Sequence, residues 1–172
     1  MKVLVVSDNH FDREILVKLA AQYKNQVDLL IHCGDSQLPA SDSLFSEFIT
    51  VQGNNDFDDQ IPQTRLIDEQ GDRILVTHGH LQDVNYTMTK LKLLGQENHA
   101  TIVLFGHTHK LGVKMDEHAL FLNPGSISLP RGEFTAIGGT YAIIDITDKQ
   151  LKIQFYNRQL AAIKELFFSF SR

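Results

Sequence analysis

TIVLFGHTH, residues 101–109, is a short apolar run that stops at a glycine and then sets two histidines one residue apart. In isolation such a pair fits a solvated loop as well as it fits half of a metal site. It is not isolated. VLVVSDNH (3–10), DLLIHCGD (28–35), FITVQGNND (48–56) and RILVTHGH (73–80) follow the same order: a β-branched apolar run, a glycine or other small residue, then Asp, Asn or His. Apolar runs of this length, rich in Val and Ile, predict buried strands. Six of the eight histidines, His10, His32, His78, His80, His107 and His109, fall in or beside these endings.

Outside the five runs the pattern changes period. FDREILVKLAAQYKN (11–25) carries Ile15, Leu16, Leu19 and Tyr23 on one helical stripe, and NYTMTKLKLLGQENH (85–99) also has helix spacing. Strands alternating with helices predict an α/β layer structure with a largely parallel central sheet. Ligands of such sheets sit beyond the carboxyl ends of the strands, where all five endings place polar residues.

The second half reads differently. HKLGVKMDEHALFLNPGS (109–126) predicts a hairpin with strands at 111–115 and 119–122 and a turn near Asp116-Glu117. TYAIIDITDKQLKIQFYN (140–157) predicts another, turning at Asp148-Lys149, so a second, more antiparallel sheet is expected to pack on the first. NPGS at 123–126 has type II turn chemistry. The tail LAAIKELFFSFSR (160–172), with Phe167, Phe168 and Phe170, is expected to cover a sheet face as a helix or extended segment. A homo-oligomer interface is the alternative for that tail.

A chain of 172 residues can be served by one core, so residues 1–172 are expected to form a single domain. The net charge of −5 and the lack of a Lys/Arg cluster argue against a nucleic-acid surface. A phosphate group is still accessible if a bound cation supplies local positive charge. The one cysteine, Cys33, excludes an internal disulfide and a Cys-rich zinc site. MKVLVVSDNH reads as a first strand rather than a signal peptide, and no apolar run approaches a membrane span, so a cytoplasmic protein without membrane contact is expected.

The strand endings offer Asp8, His10, Asp35, Asn54, His78, His107 and His109 as oxygen and nitrogen donors. Imidazole with carboxylate suits Mn, Fe, Zn, Co or Ni better than Ca or a soft metal. Seven donors exceed one tetrahedral ion but suit two ions with a bridging carboxylate, and two ions ~3.5–4 Å apart can drive in-line displacement at phosphorus. Asp8 and Asp35 can also be read as helix N-caps, Asp8 in both roles because a helix follows it. Asn54 and Asn55 can also be read as a turn.

Asp8-x-His10, Gly34-Asp35, Gly53-Asn54-x-Asp56, His78 and Gly106-His107-x-His109, with THGH at 77–80 and NPGSISLPR at 123–131, together resemble the calcineurin-like metallophosphoesterases. The similarity is greatest to their small single-domain YfcE-type phosphodiesterase subgroup and runs from Met1 to about Arg131 in order. The resemblance implies a four-layer α/β/β/α sandwich of two mixed sheets. It implies that Asp8, His10 and His109 hold one ion, that Asn54, His78 and His107 hold another, and that Asp35 bridges them. It implies a phosphodiesterase of small phosphoesters, manganese first among its metals, using a metal-bridging hydroxide for in-line attack. The same fold serves mainly as a scaffold in a retromer subunit; a chain that keeps all seven donors argues for catalysis. A nuclease would be expected to add a basic surface.

One position departs from the wider family. Many members carry His after the metal-binding Asn; here it is Asn55, which cannot donate a titratable proton. Leaving-group protonation then falls to His80 or a water, or is absent, and a modest enzyme favouring good leaving groups is expected. His80 is otherwise expected to contact substrate or support a ligand, and Arg131 to reach a phosphate oxygen or make a surface ion pair. His32, inside an apolar run, is expected to be a hydrogen-bonded core histidine or a ligand's support, and His99 and His118 are expected at the surface. Few cations lie near the motifs (Arg13, Lys110, Arg131), which favours a singly charged diester over a dianionic monoester.

Overall fold

The protein is described here by a computed structural model covering residues 1–116 and 119–172. Its strands are β1 (Lys2–Val6), β2 (Leu29–His32), β3 (Phe48–Thr50), β4 (Thr64–Glu69), β5 (Asp72–Thr77), β6 (Ile102–Leu104), β7 (Leu111–Met115), β8 (Leu120–Pro124), β9 (Thr140–Ile146), β10 (Gln150–Asn157) and β11 (Ala162–Ser171). Two α-helices, α1 (Arg13–Tyr23) and α2 (Thr89–Glu97), complete the regular structure used below.

Successive side chains of a strand face opposite ways, and here each way meets a different partner. Val3 and Val5 of β1 point between the sheets, whereas Leu4 and Val6 pack with Ile15, Leu16 and Leu19 of α1. In the other sheet Ile74, Val76, Ile102 and Leu104 face the shared core, whereas Leu75 and Val103 pack with Leu91 of α2. Burial on both faces is why these runs are continuously apolar. At roughly 1.5–3 kcal/mol per fully buried aliphatic side chain, this core is the main source of stability.

The first sheet runs β11-β10-β9-β1-β2-β3 and the second β4-β5-β6-β8-β7. β1, β2 and β3 are mutually parallel, as are β5, β6 and β8, while β9, β4 and β7 join antiparallel. The architecture is therefore the α/β/β/α sandwich of two mixed sheets. All the parallel strands bring their carboxyl ends to one edge of it.

Both helices are shorter than their periodicity predicts. Asp12 caps α1, its carboxylate accepting from the Ile15 amide at 3.3 Å, so Asp8 is not the N-cap. The expected double role of Asp8 is thereby corrected: its carboxylate turns to Ser7 and His107 instead. Asp35 likewise precedes no helix. Strand β4 was not predicted, because TRLIDE is an edge strand exposed almost throughout and carries no buried alternation. The Phe-rich tail is extended: β11 pairs with β10, Phe168 and Phe170 pack on the inter-sheet core, and Phe167 is exposed. Thr147 and Gln150 close the second hairpin around Asp148-Lys149. Glu117, with its expected turn, and His118, with its expected surface position, lie outside the described residues. No helix among the described residues is long and apolar enough to cross a membrane.

Candidate metal centre

The loops that leave the parallel strands are held in a backbone conformation side chains rarely adopt. Asp8 (φ 55°), His10 (φ 45°), Asp35 (φ 57°), His107 (φ 67°) and His109 (φ 60°) are all left-handed. Each such residue costs on the order of 1 kcal/mol or more and persists only where its surroundings fix it. The fixing is visible. Asp8 N–H donates to Gly34 O and His10 N–H to Asp35 O, both at 3.1 Å, which ties the loop after β1 to the loop after β2. Asp56 then accepts from Asp35 N–H (2.8 Å), Gly53 N–H (2.7 Å), Gln37 N–H and the Ser36 hydroxyl, joining the loop after β3. Gly106 is needed for space rather than for dihedral freedom: a Cβ there would lie 2.0 Å from Ser7 Oγ and 2.7 Å from Asp8 Oδ2.

These loops bring hydrogen-bond acceptors against acceptors. His10 Nδ1 faces Gln37 Oε1 at 3.0 Å and His109 Nδ1 faces Leu129 O at 2.7 Å, so each ring holds its proton on Nδ1. Their Nε2 lone pairs consequently meet each other at 3.2 Å, with Asp8 Oδ1 3.3 Å from His109 Nε2 and 4.0 Å from His10 Nε2. His78 repeats the arrangement. Its Nδ1 donates to Cys33 O at 2.7 Å, leaving Nε2 beside Asn54 Oδ1 (3.1 Å), Asp35 Oδ2 (3.4 Å) and Asp8 Oδ1 (4.0 Å). Asp8 Oδ1 is buried without a hydrogen-bond partner among the described residues. Ligating atoms of Asp8, His10, Asp35 and His109 all lie within 4.8 Å of one another.

Lone pairs that converge on one another in a buried site repel unless a cation lies among them. The donor set of imidazole, carboxylate and amide oxygen fits a borderline divalent metal, and His10, His78 and His109 each have the far nitrogen fixed by a protein acceptor, as metal ligands require. Protonation responds to the same field. Burial alone would push the His109 and His78 imidazoles down, but hydrogen bonding and charge from Asp8 and Asp35 pull both up. Burial would raise the Asp35 carboxyl, yet His78 and two hydrogen bonds from Asn55 hold it well below the usual range.

His107 stands at the margin. Its ring centroid is 5.1 Å from that of His78, and its Nε2 meets the side-chain amide of Asn85 at 2.8 Å. The Asn85 Nδ2 is the atom that faces this nitrogen, so the amide donates to the Nε2 lone pair. His80 lies next to both, with ring centroids 5.4 Å from His78 and 6.1 Å from His107, and its Nδ1 is buried without a partner among the described residues. Asn55 grips Asp35 twice, through its backbone N–H to Oδ1 (2.8 Å) and its amide to Oδ2 (2.6 Å). Arg131 is exposed, makes no ion pair among the described residues, and lies close enough to oppose protonation of His109. Its backbone N–H donates to His109 O at 3.0 Å. Arg13 is removed from the cations near the site by its fork on Asp42 (2.8 and 2.9 Å).

His32 is fully buried, accepts from Gly34 N–H at Nδ1 (3.2 Å) and donates from Nε2 to Asn9 Oδ1 (2.9 Å). Burial pushes its pKa down to about 4, so it is a neutral support of the loops. Sequence reasoning gave no role to Asp56, Gln37 or Asn85. Asp56 carried a signal, since it stands three residues after Gly53 in the repeated strand ending; Gln37 and Asn85 carried none.

A family model for the calcineurin-like phosphoesterase superfamily domain matches residues 1–149. A curated protein of Bacillus subtilis (strain 168) described as probable metallophosphoesterase YsnB is 35% identical over 166 residues, 96% of each chain. The crystal structure of a conserved uncharacterised protein of Streptococcus pneumoniae TIGR4, a predicted phosphoesterase, superposes with TM-score 0.96 at 36% identity, covering 99% of this chain and 97% of that one. YfcE, a phosphoesterase from E. coli, shares the fold at TM-score 0.65 and 23% identity, covering 95% and 97% of the two chains.

Proposed function

Because the chain belongs to the calcineurin-like phosphoesterase superfamily and is a metal-dependent phosphoesterase, we propose that it hydrolyses small phosphodiesters at a centre of two divalent ions, manganese first among Mn, Fe, Zn, Ni and Co. The observation that carries this reading is the presence of two clusters of converging nitrogen and oxygen ligand atoms that share Asp8. One is built from His10 and His109, the other from His78, Asn54 and Asp35. Asp8, His10 and His109 would hold one ion, Asn54, His78 and His107 the other, with Asp35 between them. Bound ions supply the positive charge that makes a water nucleophilic at neutral pH and neutralises phosphate oxygens.

The chain's own residues do the rest. Asn55 fixes both oxygens of Asp35, so it positions the bridge and is not a proton donor. His80, with an unpartnered Nδ1 beside His78 and His107, is the side chain able to exchange a proton with a leaving group on that side. Arg131 offers its free guanidinium to a non-bridging oxygen from the His109 side. With Arg13 bound to Asp42, few cations face the site, which suits a diester's single charge. Exposed Asn54 marks the open side through which substrate enters. The buried single thiol, Cys33, fits a reducing cytoplasmic setting.

The test is hydrolysis of bis-p-nitrophenyl phosphate by metal-stripped protein titrated with Mn²⁺, beside Asp35→Asn. Activity that saturates at two equivalents and disappears in the variant is the expected result. Two bound ions without hydrolysis would shift the reading to an interaction scaffold. Failure to bind metal would overturn the ligand assignment.

A further inference from the structure

Helix α2 packs over Leu75, Val103 and Phe121 but leaves the outer face of β7 uncovered. Between β7 and the 84–88 segment lies a groove of about 330 Å³, within the usual size of small-molecule sites. Val84, Met88, Phe105 and Phe121 give it apolar walls. Its floor is the pair Gly112–Asn123 beside the pair Lys114–Phe121 of the β7–β8 ladder. The groove adjoins the metal centre. Asn85, on its rim, touches His107 Nε2, and Thr108, also lining it, sits between His107 and His109.

Two features fit a bound ligand better than the needs of the fold. Gly112 is in mid-strand, where glycine weakens pairing. Neither a left-handed backbone nor crowding demands it, because a Cβ there would meet nothing within 4 Å. The missing side chain keeps the groove open. Lys110 and Lys114 line the same groove, exposed, and make no ion pair among the described residues. A larger groove, about 490 Å³ between the edges of β3 and β4, contains none of the metal-site residues and lacks this adjacency.

We propose that the groove beside β7 is the subsite for the second ester group of the substrate, and that it takes a flat aromatic group bearing a further negative charge. The apolar walls receive the ring, and the two lysines attract the charge. The proposal rests on the phosphodiesterase reading and specifies its substrate class.

The test compares kcat/KM of the Mn²⁺-loaded protein for three diesters with one leaving group: methyl, phenyl and 4-carboxyphenyl p-nitrophenyl phosphate. Gly112→Val, a change that favours the strand, is expected to lose about tenfold or more on the two aryl diesters and less than about twofold on the methyl diester. Lys114→Gln is expected to lower only the advantage of the carboxyphenyl ester over the phenyl ester. Thermal unfolding of each variant checks that the fold is intact. In parallel, metal-free wild type is titrated with the inert diester diphenyl phosphate, with amide shifts expected at Val84, Gly112 and Lys114. Equal losses on all three diesters, no loss, or shifts confined elsewhere would overturn the subsite. Wild type that hydrolyses none of the diesters but shows the groove shifts would overturn the phosphodiesterase reading and keep the groove as an aryl-anion site.

Discussion

Asp72 opens β5 and Asp8 follows β1, which places two buried carboxylates at opposite ends of the paired sheets. Asp72 is closed by the chain itself: it accepts from both terminal guanidinium nitrogens of Arg172 and from the Thr101 hydroxyl (2.8 Å). Asp8 has its Oδ2 met by the Ser7 hydroxyl and the His107 N–H, but its Oδ1 faces the imidazole nitrogens of His109 and His10 and has no hydrogen-bond partner among the described residues. At one end the protein supplies its own cation, at the other it withholds one. A buried charge left uncompensated by the fold is expensive, so its retention points to something that binds there.

The contrast is most exposed to refutation at Asp8. Asp8→Asn is expected to lower hydrolysis by more than the roughly 10–100-fold that loss of a ligand's outer partner costs, because a ligand itself is lost. Calorimetric titration with Mn²⁺ should show weakened binding at the position Asp8 shares with His10 and His109. The metal-free variant should unfold at the same temperature or higher, since an unpartnered acceptor has been removed. A clear fall in its unfolding temperature would make Asp8 a structural residue like Asp72, and the contrast would collapse.

Arg172→Ala should give the opposite pair of results. Leaving a buried carboxylate without its guanidinium costs about 3–5 kcal/mol in a fully buried pair. Arg172 keeps 24% side-chain exposure, so about 2–3 kcal/mol is expected. For a chain of this size that lowers the unfolding temperature by roughly 4–12 °C. Mn²⁺ affinity should be unchanged.

Asp56→Asn falls between the two ends. Asp56 binds no metal in the proposed centre, yet it collects amides from two loops, including that of Asp35, the proposed bridge. An amide in its place turns one acceptor into a donor that faces donors. Loss of about 10–100-fold in Mn²⁺ affinity is expected, with a modest fall in stability. Unaltered affinity would mean the left-handed loops are held by their backbone bonds alone.

The same two ends differ in how legible they are. The parallel strands could be read because β1, β5 and β6 are buried on both faces and must be apolar throughout, and the donors because each follows such a run at its carboxyl end. Their division between two sheets could not, nor that each expected hairpin joins a different sheet instead of both forming a second antiparallel one. Strand β4 could not be read, since an exposed edge leaves no pattern. Nor could the left-handed backbone at Asp8, His10, Asp35, His107 and His109, because no local preference of Asp or His demands it; the ties among three loops impose it. Gly106 stands out in the sequence as the glycine that ends its run, but its need for space beside Ser7 and Asp8 appears only once the loops are packed. The Arg172–Asp72 pair joins residues 100 apart and follows only from the packing of β11 on the sandwich.

His32 offers the smallest effect and the finest discrimination. It lies at the end of β2, yet its hydrogen bonds to Asn9 and Gly34 put it with the structural residues. Its folded pKa of about 4 lies below the ordinary 6.5 because burial opposes the charged form. Between those values the unfolded chain binds a proton that the native protein does not. The stability of neutral His32 is therefore complete above pH 6.5 and is lost as pH falls toward 4, by at most about 1.4 kcal/mol per unit. His78 and His109 titrate with the opposite sign, having raised values, so the measurement must be a difference. Urea unfolding of metal-free wild type and His32→Gln should show the wild-type advantage shrinking by about 1 kcal/mol from pH 7 to 5.5, with Gln able to donate to Asn9 but unable to titrate. A constant advantage would mean that His32 protonates freely in the native state. It would then belong with the histidines held ready for a ligand, and the line between the two kinds of buried polar group would have to be redrawn one shell further into the fold.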